Sequence, residues 1–438
     1  MVDIALRAHN HNWRLDPVVR SLLDTDFYKL LMGQFIFNRY PDAQVTFALA
    51  NRTHRVKLLR DGIINVEELR EQLDHVRKLR FTNQELIWLQ GNTFYGKQGI
   101  FTPGYIEFLR RLTLPPYEIE STSEGDLLLT FTGSWKETTY WEIHALAIVS
   151  ELRSRHALRK LSKFELDILY SRAKAKLWDK LLRLAKLKNL NLSDMGTRRR
   201  HSFLWQEWAV SAAAEALKDG FSGTSNAYLA YKYGWDAKGT SGHELPMALT
   251  AIESHRENAT DEQIRQVQYD VCKHWQNDYS GNLLIVLPDA FGTTQFLDKA
   301  PPWLADWKGF RPDSKNPDLA AAELIAWWKR MGVNPQEKLV LFSDALDTDD
   351  IIALQGKWSE SVLVGFGWGT MLTNDFKGLL EDKSLDPLSL VCKVSAAGGL
   401  PAVKLSDNYE KAMGPKREIE RYLRIFSHEG MESVPVTV

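Results

Sequence analysis

KLVLFSDALDTDD, residues 338–350, closes a short apolar run with Ser343 and Asp344; after a helix-compatible interval, VLVGFGWGT, residues 362–370, closes another with glycines. A strand ending in a polar cluster, then a helix, then another such strand is the unit from which parallel sheets are built. The same pattern extends outward from this pair. Strands are read near 190–193 (LNLS), 283–288 (LLIVLP), 307–311 (WKGFR), 338–343 (KLVLFS), 362–366 (VLVGF) and 388–394 (LSLVCKV). So many units favour closure into an irregular (β/α) barrel over an open sheet, and a barrel collects every strand C-terminus on one face. The polar clusters DMGTRRRH, PDAFGT, RPDS, SDALDTDD and GWGT all fall at those ends.

Upstream the pattern changes. Over residues 1–137, SLLDTDFYKLLMGQFIFNRY has helical spacing, whereas AQVTFALANRT and LLLTFTGSW read as strands, giving an N-terminal α+β domain. Residues 138–400 hold a helical connection, WEIHALAIVSELRSRHALRKL through KAKLWDKLLRLAKL, and then the α/β barrel. Residues 401–438 read as a lysine-rich loop and a terminal helix, EIERYLRIF, expected to pack back on the N-terminal domain.

At 438 residues and 44% apolar content the chain can bury a large core, which excludes a disordered or fibrous class. Its 55 basic residues nearly balance 56 acidic ones, so bulk charge gives no reason to expect nucleic acid or an anionic membrane. Two cysteines, Cys272 and Cys392, in no metal-like spacing fit a reducing compartment, with the cytoplasm as the expected location. The opening MVDIALRAHNHNWRLDP lacks a secretory core, and no run approaches the roughly 18 apolar residues of a membrane span.

Each polar cluster has a chemical reading beside a bland one. In DMGTRRRH, arginine forks suit carboxylate or phosphate; an ordinary solvated patch is the alternative. GFSGTSN and GTSGHE each put a Gly-Thr-Ser turn before a helix, where free N–H groups hold anions. His243 stands at the second of these, either as a cap or as a nucleophile or acid–base group. In GFRPDS, Arg311, Asp313 and Ser314 together suit an anion and a sugar hydroxyl. Asp344 and Asp347 suit ribose hydroxyls or hydrated Mg²⁺, whereas Asp349 and Asp350 read as helix capping. Gly365, Gly367 and Gly369 form neither a P-loop nor a dinucleotide fingerprint, and instead offer a phosphate-sized nest of backbone donors.

Taken in order, LLDTDFYKLLMGQFIF, DMGTRRRHSF, GTSN, GTSGHE, RPDS, SDALD, GFGWGT and VKLSDNYEKAMGPKREI resemble the bacterial-type nicotinate phosphoribosyltransferases over nearly the whole chain. The resemblance implies joining nicotinate to 5-phosphoribosyl 1-pyrophosphate (PRPP), yielding nicotinate mononucleotide and pyrophosphate for NAD synthesis, coupled to ATP hydrolysis with Mg²⁺. It implies that His243 is phosphorylated, with Asp289 orienting its ring. Arg198 and Arg311 would face the nicotinate carboxylate, and Tyr28, from a neighbouring subunit of a homodimer, would stack on the ring. Asp313 and Asp344 would take ribose hydroxyls and the 365–369 turn the 5′-phosphate, with Thr240 and Ser314 also binding substrate and Arg52 and Lys404 meeting pyrophosphate.

Two positions depart from relatives. Met195 stands where many members have phenylalanine, and its polarizable sulfur still suits contact with a ring. Ser225 stands where nicotinamide-using relatives have an aspartate, which favours the acid over the amide as substrate. Nicotinamide phosphoribosyltransferase is therefore the alternative, and quinolinate phosphoribosyltransferase is more distant. From another class, a nucleic-acid-binding protein can be argued from the basic segment 152–200, but its leucine spacing reads more simply as an amphipathic helix.

Overall fold

The computed structural model describes residues 17–435. The N-terminal stretch MVDIALRAHNHNWRLDP, which lacks a secretory core, lies outside them apart from Pro17. In chain order the strands that frame the molecule are β1 (Gln44–Asn51), β2 (Tyr117–Ser121), β3 (Leu127–Ser134), β4 (Leu192–Asp194), β5 (Phe221–Thr224), β6 (Ile285–Val286), β7 (Gly309–Phe310), β8 (Leu339–Phe342), β9 (Leu363–Trp368), β10 (Leu390–Ala397) and β11 (Leu400–Pro401). They form two large sheets. Strands β4 to β9 make a six-stranded sheet in the order β5-β4-β9-β8-β7-β6, and every pairing in it is parallel. This is the mixed α/β architecture expected from the strand-then-polar-cluster pattern. Its end strands β5 and β6 are not paired with each other, and the chain between them runs through the helices Ala227–Tyr233, Glu244–Ser254 and Asp261–Asp278.

The other sheet is antiparallel, ordered β11-β10-β1-β3-β2, and belongs to the N-terminal α+β domain. Here one expectation is corrected. The run at 388–394 is a strand, but it pairs antiparallel with β1, from Val45 opposite Ala397 to Asn51 opposite Leu390, and takes no place in the parallel sheet. Its apolar run suits either sheet, because hydrophobicity fixes burial and not the direction of a partner strand. The return of β10 to β1 ties the two parts of the chain together. One continuous apolar core accordingly runs from Phe27, Leu30 and Phe47 to Val340 and Phe366.

The segment 141–188 forms two helices, Trp141–Leu158 and Lys163–Leu184, separated where Ser162 caps the second through a reciprocal box with Glu165. The C-terminal helix Lys416–Phe426 departs from expectation. Its Tyr422, Ile425 and Phe426 pack with Ile264 of the helix Asp261–Asp278 and with Ala290 and Phe291 after β6, so it covers the parallel-sheet part and not the N-terminal sheet. Among the described residues no helix is long and apolar enough to cross a membrane.

Candidate active site

The strand ends and the N-terminal domain enclose a cleft with about 1320 Å³ of empty space that opens to solvent. Seven basic side chains line it (Arg52, Arg198, Arg199, Arg311, Lys393, Lys404 and Lys411) against the acids Glu142, Asp313 and Asp344. Such an excess of cations suits a ligand carrying several negative charges.

His243 lies on this wall. It is the residue before the helix Glu244–Ser254, yet its side chain caps nothing. Its Nε2 is 2.8 Å from Asp289 Oδ1, while Nδ1 is 3.9 Å from Asp313 Oδ2. Asp289 is fully buried after β6, and its second oxygen accepts from Ser314 Oγ at 2.5 Å, with Lys404 Nζ 3.7 Å away. Burial pushes the Asp289 carboxyl up, but His243 and Lys404 outweigh it and hold the group well below the ordinary carboxylate range. Burial, followed by the Lys404 ammonium, pushes the His243 imidazole below its usual value despite Asp289. An ionised Asp289 can only accept, so the neutral ring carries its proton on Nε2 and its lone pair on Nδ1, toward Asp313. A nucleophilic nitrogen at a helix N-terminus, among lysines and arginines, is well placed to take up an anionic group.

The loop before His243 is shaped by what it touches. Gly239 has φ +150°, and a Cβ there would lie 2.7 Å from the Tyr28 backbone nitrogen. Tyr28, in the first turn of the helix Phe27–Arg39, therefore lines the same chain's cleft. Within one chain Tyr28 and His243 line the same cleft. Arg311 enters from the end of β7, with Nη1 3.6 Å from Asp313 and Nη2 donating to Ser241 O at 3.3 Å. Asp313 also accepts from Ser343 Oγ at 3.0 Å. Asp344 pairs with Lys411, whose carbonyl accepts from Arg52. Met195 lines the cleft as well, and Gly367 makes room for it: a Cβ there would come 2.3 Å from Met195 Sδ.

The three consecutive arginines separate. Arg198 faces the cleft, 3.6 Å from Asp26 and 4.0 Å from Glu142. Arg199 reaches the cleft while donating to Leu390 O, and burial with Arg198 and Arg52 nearby pushes its pKa down to about 10. Arg200 is structural, wholly buried in a two-pronged pair with Asp24 at 2.7 and 2.8 Å.

Several expected substrate contacts fall outside the cleft lining. Gly365 and Gly367 lie within β9, opposite Leu341 of β8 and Ser193 of β4, so the proposed phosphate nest shrinks to the turn at Gly369 and Thr370. The Ser314 hydroxyl is committed to Asp289 and to the Asp407 backbone N–H. The Ser225 hydroxyl donates to Asp26 at 2.8 Å, and Thr240 is buried and not part of the cleft lining. Conversely, Glu142, Arg199, Lys393 and Lys411 line the cleft without having been singled out from the sequence. For Glu142 a signal was present: a carboxylate inside an otherwise apolar helix start, WEIHALAIV, needs a partner.

Residues 190–428 match the nicotinate phosphoribosyltransferase (NAPRTase) family, and residues 23–150 match that family's N-terminal domain. The chain belongs to the nicotinate phosphoribosyltransferase family. A nicotinate phosphoribosyltransferase from Vibrio cholerae has a similar crystal structure, with a TM-score of 0.83 and 29% identity over 96% of each chain. Another from Porphyromonas gingivalis gives 0.80 at 26% identity, covering 93% of this chain and 100% of that one. Family membership thus extends across both the antiparallel and the parallel parts between which the cleft lies.

Proposed function

We propose that this chain is a nicotinate phosphoribosyltransferase of NAD biosynthesis that couples the transfer to ATP through phosphorylation of His243. The observation that carries the reading is the neutral His243 ring, held by Asp289 at 2.8 Å with Nδ1 toward a cleft rich in cations. In the transfer, the pyridine nitrogen of nicotinate bonds to the ribose anomeric carbon as the bond from that carbon to pyrophosphate oxygen breaks. Pyrophosphate leaves with the electron pair. Little covalent chemistry falls to the protein, which positions the two substrates and stabilises charge.

Arg198 and Arg311 are the proposed carboxylate-binding forks, with Tyr28 and Met195 against the pyridine ring. Arg52 and Lys404 are assigned to pyrophosphate, Asp313 and Asp344 to ribose hydroxyls, and Gly369 to the 5′-phosphate. In the coupling step Nδ1 of His243 attacks the terminal phosphorus of ATP, ADP departs, and water later takes the phosphoryl group as inorganic phosphate. Asp289 stabilises the ring throughout by keeping the Nε2 proton in place. Mg²⁺ is a hard cation that takes oxygen ligands and, when bound, neutralises phosphate oxygens. Asp289 fits this role poorly, since both its oxygens already accept, whereas Asp313 and Asp344 at the cleft wall fit it. A homodimer in the cytoplasm completes the reading, with PRPP, ATP and nicotinate as the small-molecule substrates.

The reading is tested by incubation with terminally labelled ATP and Mg²⁺. Acid-labile label is expected on His243, discharged as nicotinate mononucleotide appears when PRPP and nicotinate are added. Because its pKa is lowered, His243 stays neutral below the ordinary imidazole value of 6.5. The acid limb of phosphoenzyme formation is therefore expected at a pH below 6.5, and a midpoint at or above 6.5 contradicts the assigned environment.

A further inference from the structure

At one end of the cleft lies a cluster of charges of which the proposed chemistry uses only Arg198. Glu142 Oε2 is 2.5 Å from Lys29 Nζ, and Oε1 is 2.8 Å from Lys393 Nζ and 4.0 Å from Arg198. Lys29, with no exposure, is also 2.5 Å from Glu244, the residue after His243, whose other oxygen accepts from Trp135 Nε1 at 2.6 Å. Asp26 Oδ2 completes the set, 3.6 Å from Arg198.

Around this end of the cleft three cations (Lys29, Arg198 and Lys393) thus meet three carboxylates (Glu142, Glu244 and Asp26) before any ligand arrives. The cations are not equally engaged. Lys29 and Lys393 are held at hydrogen-bond distance, whereas neither acid near Arg198 is that close, so its fork keeps donors for one incoming carboxylate. A second carboxylate on the same ring finds Lys393 already neutralised by Glu142.

We propose that Glu142 is a specificity-determining residue, which cancels the charge of Lys393 and so admits aromatic monocarboxylates while excluding dicarboxylates. The assignment rests on the reading of Arg198 as the acceptor's carboxylate site. At separations near 4 Å one unit charge in a partly buried site is worth tenfold or more in affinity, so its removal has a sizeable effect.

Equilibrium dialysis of nicotinate and pyridine-2,3-dicarboxylate against the full chain with Mg²⁺ and pyrophosphate tests this, alongside turnover with PRPP. In Glu142→Gln, the ratio of monocarboxylate to dicarboxylate affinity is expected to fall about tenfold or more, while Glu142→Asp, which keeps the charge, retains the wild-type preference. A merely structural role would weaken both acids together and leave the ratio unchanged. An unchanged ratio in Glu142→Gln, or an equal fall in Glu142→Asp, overturns the proposal. Failure of wild type to turn over nicotinate would instead count against phosphoribosyl transfer, and the affinity ratio would still decide the role of Glu142.

Discussion

His243→Ala is expected to abolish the stimulation of mononucleotide synthesis by ATP, bringing the ratio of rates with and without ATP to one, while slow ATP-independent transfer persists. The physical reason is a division of labour within the cleft. His243 contributes the nitrogen that can carry a phosphoryl group, whereas the forks and ring contacts that align nicotinate with PRPP come from Arg198, Arg311 and Tyr28. The substitution also leaves Asp289 buried without its imidazole, though Ser314 and Lys404 remain beside it. Circular dichroism and thermal unfolding of the variant separate loss of coupling from loss of fold. Equal ATP stimulation in variant and wild type would remove His243 from the coupling step.

The second large effect is expected at Arg198. Arg198→Ala should raise the KM for nicotinate by roughly two to three orders of magnitude, about 3–4 kcal/mol, with a much smaller change in the KM for PRPP. It removes the proposed bidentate donor and leaves Asp26 and Glu142 facing the acceptor with less opposing charge. Arg198→Lys keeps the charge but loses the fork, so it should recover only part of the affinity. Steady-state kinetics with each substrate varied in turn provide the check. Comparable increases in both KM values would assign Arg198 to the cleft's general field instead.

Much of this architecture could be read from residue patterns, and the failures have identifiable causes. Runs such as KLVLF and VLVGF are strands because apolar, β-branched residues are interrupted by abrupt polar ends. Strand β5 escaped the same reading because FSGT has the composition of a turn, yet it pairs with β4 at the edge of the parallel sheet. The run at 388–394 reads as a strand, but its sheet is not legible in it, since pairing direction is settled by a partner strand hundreds of residues away. Gly365 and Gly367 looked like a phosphate nest because glycine spacing cannot distinguish a turn from a strand with a bulky neighbour, here Met195.

The site divides in the same way. His243, Asp289, Arg198, Arg311 and Asp313 are legible as polar groups at strand ends, and the fold gathers them within one wall. Lys393 is an isolated charge in an otherwise apolar strand, and its importance is created only by tertiary approach, whereas Glu142 is marked by its apolar helix start and Lys411 lies within the VKLSDNYEKAMGPKREI motif. Ser314 and Ser225 sit in conspicuous motifs, but their hydroxyls are used up by buried carboxylates. Motif spacing identifies a hydroxyl's address without revealing which acceptor reaches it first.

ATP-stimulated phosphoribosyl transfer to nicotinate is decided by mononucleotide formation from PRPP and Mg²⁺ with either nicotinate or nicotinamide, each with and without ATP. Strong turnover with nicotinate, raised by ATP, and little with nicotinamide are expected. Preference for nicotinamide, or no mononucleotide from either, would contradict ATP-stimulated transfer to nicotinate.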